Sequence, residues 1–308
     1  MNGVEVNCCP CCDTGLRSTE VRHFVWDILR KWEAHGVAFS EETWADYPEN
    51  RELELFSCPN CGFGVFLPML TGTDAFYIDV TRNEYYLADR WDFHVAIKLL
   101  RASGAGSVLD VGCGQGAFLA RVKQSLPKVS CSGNDANPAV RSCLPQGVPL
   151  YTSLGNVPDG LDAVTLFQVI EHVAEPEQML ADAVTKLRPG GMVIVSVPDH
   201  SGPIRFFSDS HTAIPPHHVT QWTPASLEAL FSKLGLKIIA RKREPLPDYL
   251  MPFYLHKIIA NSLGCMGDPV REAQIREKLT DPIIRFCQRL GIKSLPVRGH
   301  TYLIAGTR

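Results

Sequence analysis

A doubly wound α/β fold is the class this sequence predicts, and three observations carry it. Apolar runs of strand length alternate with amphipathic segments between about residues 85 and 243, the sign of repeated βαβ units. The runs are nearly continuous in apolar residues, as parallel strands covered on both faces require. A glycine-rich turn, Gly112-Cys113-Gly114-Gln115-Gly116, closes the first run and opens a helix at Ala117.

The candidate strands are 107–112, 129–135, 148–153, 161–169, 191–198 and 236–243, and a last run at 300–308 adds a seventh. Between them, Glu177 to Leu187 sets Met179, Leu180, Ala183, Val184 and Leu187 on one helical face. It stops at Arg188-Pro189-Gly190-Gly191, a C-terminal signal. Thr223-Pro224 caps and starts another helix, with Leu227, Leu230, Phe231 and Leu234 as its stripe and Gly235 as its end. The spacing divides the chain into an N-terminal module at 1–80 and an α/β domain at 81–308, the latter with a helical insertion at about 244–299 that is rich in Pro, Leu and Ile.

A length of 308 residues fits one large domain or two ordinary ones. With 45% hydrophobic and 20% charged residues, wholesale disorder is excluded. The net charge of −3, and an excess of acids over bases within 1–80, speak against a phosphate-binding surface, so nucleic acid is not the expected partner. There is no basic, apolar leader at the N-terminus and no apolar stretch near the ~20 residues of a membrane span. A cytoplasmic, reducing location without a membrane partner is therefore expected, and disulfides explain the eleven cysteines poorly.

The glycine turn removes side chains where backbone must approach a ligand, and the helix after it offers unpaired N–H groups. Asp135, ending the second strand, is placed to accept two ribose hydroxyls. Two nucleotide readings fit, since Gly112-x-Gly114-x-x-Ala117 also satisfies the dinucleotide fingerprint of an NAD-dependent reductase. Asp110, two residues before the first glycine, and the lack of a Tyr-x-x-x-Lys pair weigh against the reductase.

VLDVGCGQG with the acid at the next strand end resembles the S-adenosylmethionine motif of class I methyltransferases. LFQVIEHV, then LRPGG and an apolar strand, resemble later motifs of that family over about 85–243. The resemblance implies a seven-stranded Rossmann-like sheet whose last strand is antiparallel. It further implies that Gly112, Gly114 and Gly116 line the methionine and ribose, that Asp135 holds the ribose hydroxyls, that Gln168 lies near the sulfonium and that Asp110 helps at the ammonium. Gln168-x-x-Glu171-His172 is similar to the Glu-x-x-Glu-His of ubiquinone-type O-methyltransferases, which is linked to a divalent ion. Gln168 removes one hard ligand, so Glu171 and His172 are read as opening the next helix, and no magnesium is expected.

Cys9-Pro10-Cys11-Cys12 and Cys58-Pro59-Asn60-Cys61 are paired C-x-x-C knuckles. Such pairs bring four thiolates around zinc, and Cys9, Cys12, Cys58 and Cys61 are the expected ligands. Cys8 and Cys11 form a competing knuckle. With all four positions filled by protein, the zinc is structural. The combination resembles bacterial small-molecule methyltransferases with an N-terminal zinc module, which implies a small-molecule acceptor in a sugar or natural-product type pathway; oxygen is the expected acceptor atom, since the chain is short for the extra domain of similar sugar C-methyltransferases. The competing function is a zinc module that binds RNA or protein.

In an open α/β sheet the site lies beyond the carboxyl ends of the strands. Residues 198–222 fall there and hold His200, His211, His217 and His218. His217 and His218 are the candidate bases for a hydroxyl acceptor. Tyr85 and Tyr86 are placed to lie over the cofactor, and Tyr249, Met251, Phe253 and Tyr254 to cover the substrate.

Overall fold

The computed structural model describes residues 8–81 and 89–308. The chain opens with β1 (Arg17–Phe24), α1 (Val25–Ala34), α2 (Glu41–Asp46), β2 (Glu52–Ser57), β3 (Gly64–Leu67) and α3 (Asp74–Thr81). Next come α4 (Trp91–Ser103), β4 (Ser107–Val111), α5 (Ala117–Ser125), β5 (Ser130–Asn134), β6 (Leu150–Tyr151) and β7 (Leu161–Phe167). They are followed by α6 (Pro176–Thr185), β8 (Leu187–Pro198), β9 (Thr220–Gln221), α7 (Pro224–Lys233) and β10 (Lys237–Pro247). Helices α8 (Met251–Ser262), α9 (Pro269–Ile275) and α10 (Asp281–Arg289) then lead to β11 (Ser294–Thr307).

The larger sheet has seven strands in the order β10-β11-β8-β7-β4-β5-β6. Strands β4 to β8 run parallel, and β11 runs antiparallel to both its neighbours. Along each central strand, successive side chains feed opposite cores, as a pleated strand dictates. Val193, Val195 and Val197 join Leu180, Leu227 and Phe231 on one face. Met192 and Ile194 join Phe93, Leu100, Phe118 and Leu119 on the other. The cysteine knuckles pack on the first of these faces, beside α6 and α7.

Boundaries move for local reasons. The expected strand 148–153 shortens to β6, two residues at a sheet edge behind Pro149, which has no N–H to donate. β8 starts at Leu187 because that residue already pairs with Leu161, and the ladder shifts register before Ala163. β10 and β11 extend past the expected ends and stay paired as far as Pro247 and Ser294. The helical segment between them has a small core of its own, with Leu246, Met251, Tyr254, Leu255, Ile284 and Cys287.

A second sheet, in the order β1-β2-β3-β9, takes its last strand from residues 220–221. Val65 pairs with Thr220 and Gly64 with Gln221, and Phe66 N–H donates to the Val219 carbonyl at 3.1 Å. From the other side, Val219 and Thr220 N–H both donate to the Glu171 carbonyl, at 2.9 and 3.2 Å. Trp222 is fully buried, its indole N–H donating to Thr220 Oγ1 at 3.0 Å and its ring 4.9 Å from that of Phe63.

Thr223 completes this seam. Its hydroxyl donates to the Cys61 carbonyl at 2.7 Å and accepts from Ser226 N–H at 3.1 Å, so one side chain both caps α7 and holds the second knuckle. Thr223→Ala should therefore cost about 1–3 kcal/mol, the worth of a cap plus a partly buried hydrogen bond. Urea denaturation measures it; an unchanged midpoint would mean that neither contact contributes.

Candidate functional site

The two knuckles fold alike. Cys9 N–H reaches Thr14 O at 2.8 Å and Asp13 N–H reaches Cys9 O at 2.9 Å; in the second knuckle Cys58 N–H reaches Phe63 O at 2.7 Å and Gly62 N–H reaches Cys58 O at 2.9 Å. Asp13 and Gly62, at matching places, are both left-handed, with φ of 58° and 73°. The metal-capable sulfurs of Cys9, Cys12, Cys58 and Cys61 all lie within 4.8 Å of one another. Cys9 to Cys61 and Cys12 to Cys58 are 3.5 Å apart, and Cys12 to Cys61 is 3.7 Å. Tetrahedral zinc with bonds of about 2.3 Å needs sulfurs about 3.8 Å apart, so the donor set fits the ion. Cys8 is exposed and outside the group.

At the glycine turn, Gly112 has φ of 66° and a Cβ there would stand 2.6 Å from Val169 Cγ2. The turn therefore touches the one after β7, and no side chain larger than glycine's fits between them. Gly116, with φ of 76°, is the residue from which α5 starts. Asp135 accepts from Gly114 N–H at 2.9 Å through one oxygen and from Asn137 N–H at 3.0 Å through the other. Asp110 is buried with Thr165 Oγ1 donating to it at 2.7 Å, and burial pushes its carboxyl up to about 7. Gln168 follows β7 in a left-handed conformation, φ 56°, its N–H donating to Ser196 O at 2.9 Å. Its buried Nε2 has no hydrogen-bond partner among the described residues. A strained residue with an unspent donor beside a glycine turn is a common mark of a ligand site. Tyr85 and Tyr86 lie outside the described residues.

Glu171 and His172 correct the sequence expectation: they sit in a turn, and the helix begins only at Pro176. His172 meets His217 and His218 there, with ring centroids 4.5 and 4.8 Å away, and His217 and His218 stack at 4.6 Å. Trp32, Phe76 and Tyr77 from the N-terminal elements pack their rings 5.6, 6.4 and 6.1 Å from His217. Burial pulls the pKa of His217 and His218 well below the ordinary histidine value, and that of His172 down to about 4. His211 stands apart, against His35 and Trp32. Of the expected covering residues, Met251 and Tyr254 are buried, Tyr254 with its hydroxyl 3.0 Å from His300 Nδ1, while Tyr249 and Phe253 are exposed. Trp32, Phe76 and Tyr77 carry no sequence signal for this role, since they read as core positions of their own module.

His200, at the end of β8, accepts from Trp222 N–H through Nδ1 at 3.3 Å, and burial pulls it down to about 4. The folded chain keeps it neutral, whereas the unfolded chain takes up a proton below about 6.5. Its contribution to stability is therefore present above pH 6.5 and is lost as the pH falls toward 4. His200→Asn keeps the acceptor and removes the proton site, so between pH 6 and 5 its unfolding free energy should fall less steeply, by up to about 1.4 kcal/mol per pH unit. Denaturation at a series of pH values tests this, and an unchanged slope would refute it.

The family described as "Methyltransferase domain" matches residues 82–241. A probable S-adenosylmethionine-dependent methyltransferase of Mycolicibacterium smegmatis is 28% identical over 148 residues, 46% of this chain and 56% of that one. The ubiquinone biosynthesis O-methyltransferase of Aeromonas salmonicida is 32% identical over 99 residues, 29% of this chain and 42% of that protein. The chain thus spans about half the length of these curated relatives. Among solved structures, a SAM-dependent methyltransferase from Archaeoglobus fulgidus is similar with a TM-score of 0.45 and 18% identity, covering 70% of this chain and 94% of that one. No helix among the described residues is long and apolar enough to cross a membrane. Counted within the larger sheet alone, the strand order is 3-2-1-4-5-7-6 with the seventh antiparallel, and the glycine turn follows the first. By the matched half of its length, the chain belongs to the methyltransferase domain family, in its class I form.

Proposed function

We propose that the protein transfers the methyl group of S-adenosylmethionine to an oxygen of a small-molecule acceptor, in a sugar or natural-product type pathway. The observation that carries this reading is the contact between the glycine turn and the turn after β7. Gly112 abuts Val169, and three residues on stands His172, packed among neutral imidazoles and aromatic rings. Bound S-adenosylmethionine supplies an electrophilic methyl group.

The protein's own groups divide the remaining work. Backbone N–H groups of the glycine turn and the start of α5 receive the cofactor's polar groups, Asp135 its ribose hydroxyls, and Gln168 and Asp110 the methionine end. Trp32, Phe76 and Tyr77 wall the acceptor side and keep water out. His217 and His218 are neutral at physiological pH, so their lone pairs are free of protons and activate the acceptor hydroxyl. The cysteine centre binds zinc and holds the N-terminal wall against this pocket.

Calorimetry with S-adenosylmethionine and S-adenosylhomocysteine tests the reading. Both should bind the zinc-loaded protein, and Asp135→Ala should weaken each by about tenfold or more, since a charge-assisted hydrogen bond is worth over 1.4 kcal/mol. Tight NAD binding in their place would overturn the assignment. Chelating the zinc should lower the thermal midpoint and expose Trp32 and Trp222, which tryptophan fluorescence reports; no change would remove its structural role.

A further inference from the structure

The ligand-capable nitrogens of His172, His217 and His218 all lie within 4.8 Å of one another. Their tautomers are partly set. His172 Nδ1 is 2.7 Å from the His217 carbonyl, so that nitrogen carries the proton and Nε2 keeps its lone pair. Nε2 is 3.9 Å from a carboxylate oxygen of Glu171. Glu171 is 0% exposed, and neither of its oxygens has a hydrogen-bond partner among the described residues; nor does the buried Nδ1 of His218. Burying a carboxylate with no donor is costly. The Tyr77 hydroxyl, 3.3 Å from His172 Nδ1, stands on the far nitrogen of that ring, and a cation among the remaining nitrogens would offset the Glu171 charge.

We propose that His172, His217 and His218 bind one divalent transition-metal ion of the zinc or cobalt type. Glu171 supplies the neighbouring negative charge, and the acceptor's oxygen takes the open coordination position, so that with the ion bound His217 and His218 act on the acceptor hydroxyl through the metal, which lowers its pKa, in place of acting as free bases. Imidazole donors select such borderline ions, whereas magnesium wants oxygens. Three protein ligands with one position open is the arrangement of catalytic rather than structural zinc. Two of the three ligands come from the segment before β9, outside the Gln168-x-x-Glu171-His172 turn, and Gln168 offers no anionic oxygen. Nitrogens around tetrahedral zinc stand about 3.3 Å apart, against a present spacing within 4.8 Å. Only the acceptor's place on the ion rests on the methyl-transfer reading; the binding of the ion does not.

Cobalt(II) added to the full-length protein with its cysteine centre zinc-filled tests the site. About one equivalent should bind with visible d–d absorption and without thiolate-to-cobalt charge transfer, and proton NMR should show hyperfine-shifted resonances from three imidazoles. His172→Gln and His218→Gln should each weaken cobalt binding about tenfold or more, with S-adenosylhomocysteine affinity unchanged by calorimetry. No uptake by the wild-type protein, uptake carrying only thiolate charge transfer, or shifted resonances from fewer than two imidazoles would overturn the proposal. The wild-type spectra decide this even if a variant fails to fold. Failure of S-adenosylhomocysteine to bind would instead remove the methyltransferase reading and leave the cobalt result standing.

Discussion

The short extended segment from Val219 to Thr223 is bonded on both sides, and the site depends on it. On one side it pairs with β3; on the other its N–H groups share the Glu171 carbonyl. A segment held between two partners has little freedom to slide, because its backbone groups are already satisfied. His217 and His218 immediately precede it, so their position follows from the same bonds. The N-terminal sheet is thereby more than an appended module. Through β3 it orders the histidines, and through Trp32, Phe76 and Tyr77 it packs on the ring of His217. The cysteine centre acts at one remove. Cys61 lends its carbonyl to Thr223, the residue that starts α7.

The α/β array was legible because its strands are buried on both faces, and burial leaves apolar runs in the sequence. The glycine turn and the cysteine knuckles were legible for a different reason. Each packs its chemistry into a few consecutive residues, with spacing set by local geometry. The histidine cluster has no such signature. His172 and His217 are 45 residues apart, and a two-residue strand such as β9 has no periodicity to detect. The neighbours of Glu171 and His172 suggest a helix start, but Pro176 occupies the first turn of α6, and Gln168 first turns the chain through a left-handed residue. No pattern of residue types announces that turn, since glutamine there is set by the surrounding structure and not by its own preference.

Charge ties these elements together. Arg90 binds Asp92 through two nitrogens at 3.1 and 2.5 Å, and Ser196 Oγ donates to the same carboxylate at 2.6 Å. The guanidinium also attracts Asp110, Glu171 and Glu244. Glu244 receives the N–H groups of His300 and Thr301, at 3.3 and 3.0 Å. One cation thus faces four buried carboxylates, and of these Asp110 has one side-chain donor and Glu171 has none among the described residues, too few to make up the solvation lost on burial. Burial raises Asp110 to about 7 for this reason, since protonation is the remaining way to relieve it. A positive charge placed beside these acids relieves the same deficit without a proton, and it does so in a low-dielectric setting where the attraction is strong. These acids therefore favour a cationic neighbour over a neutral one of the same shape. A sulfonium differs from its demethylated thioether in that charge alone, apart from one methyl group. On the proposed methyl-transfer reading, Asp110 beneath the glycine turn favours the charged sulfonium over its neutral thioether product.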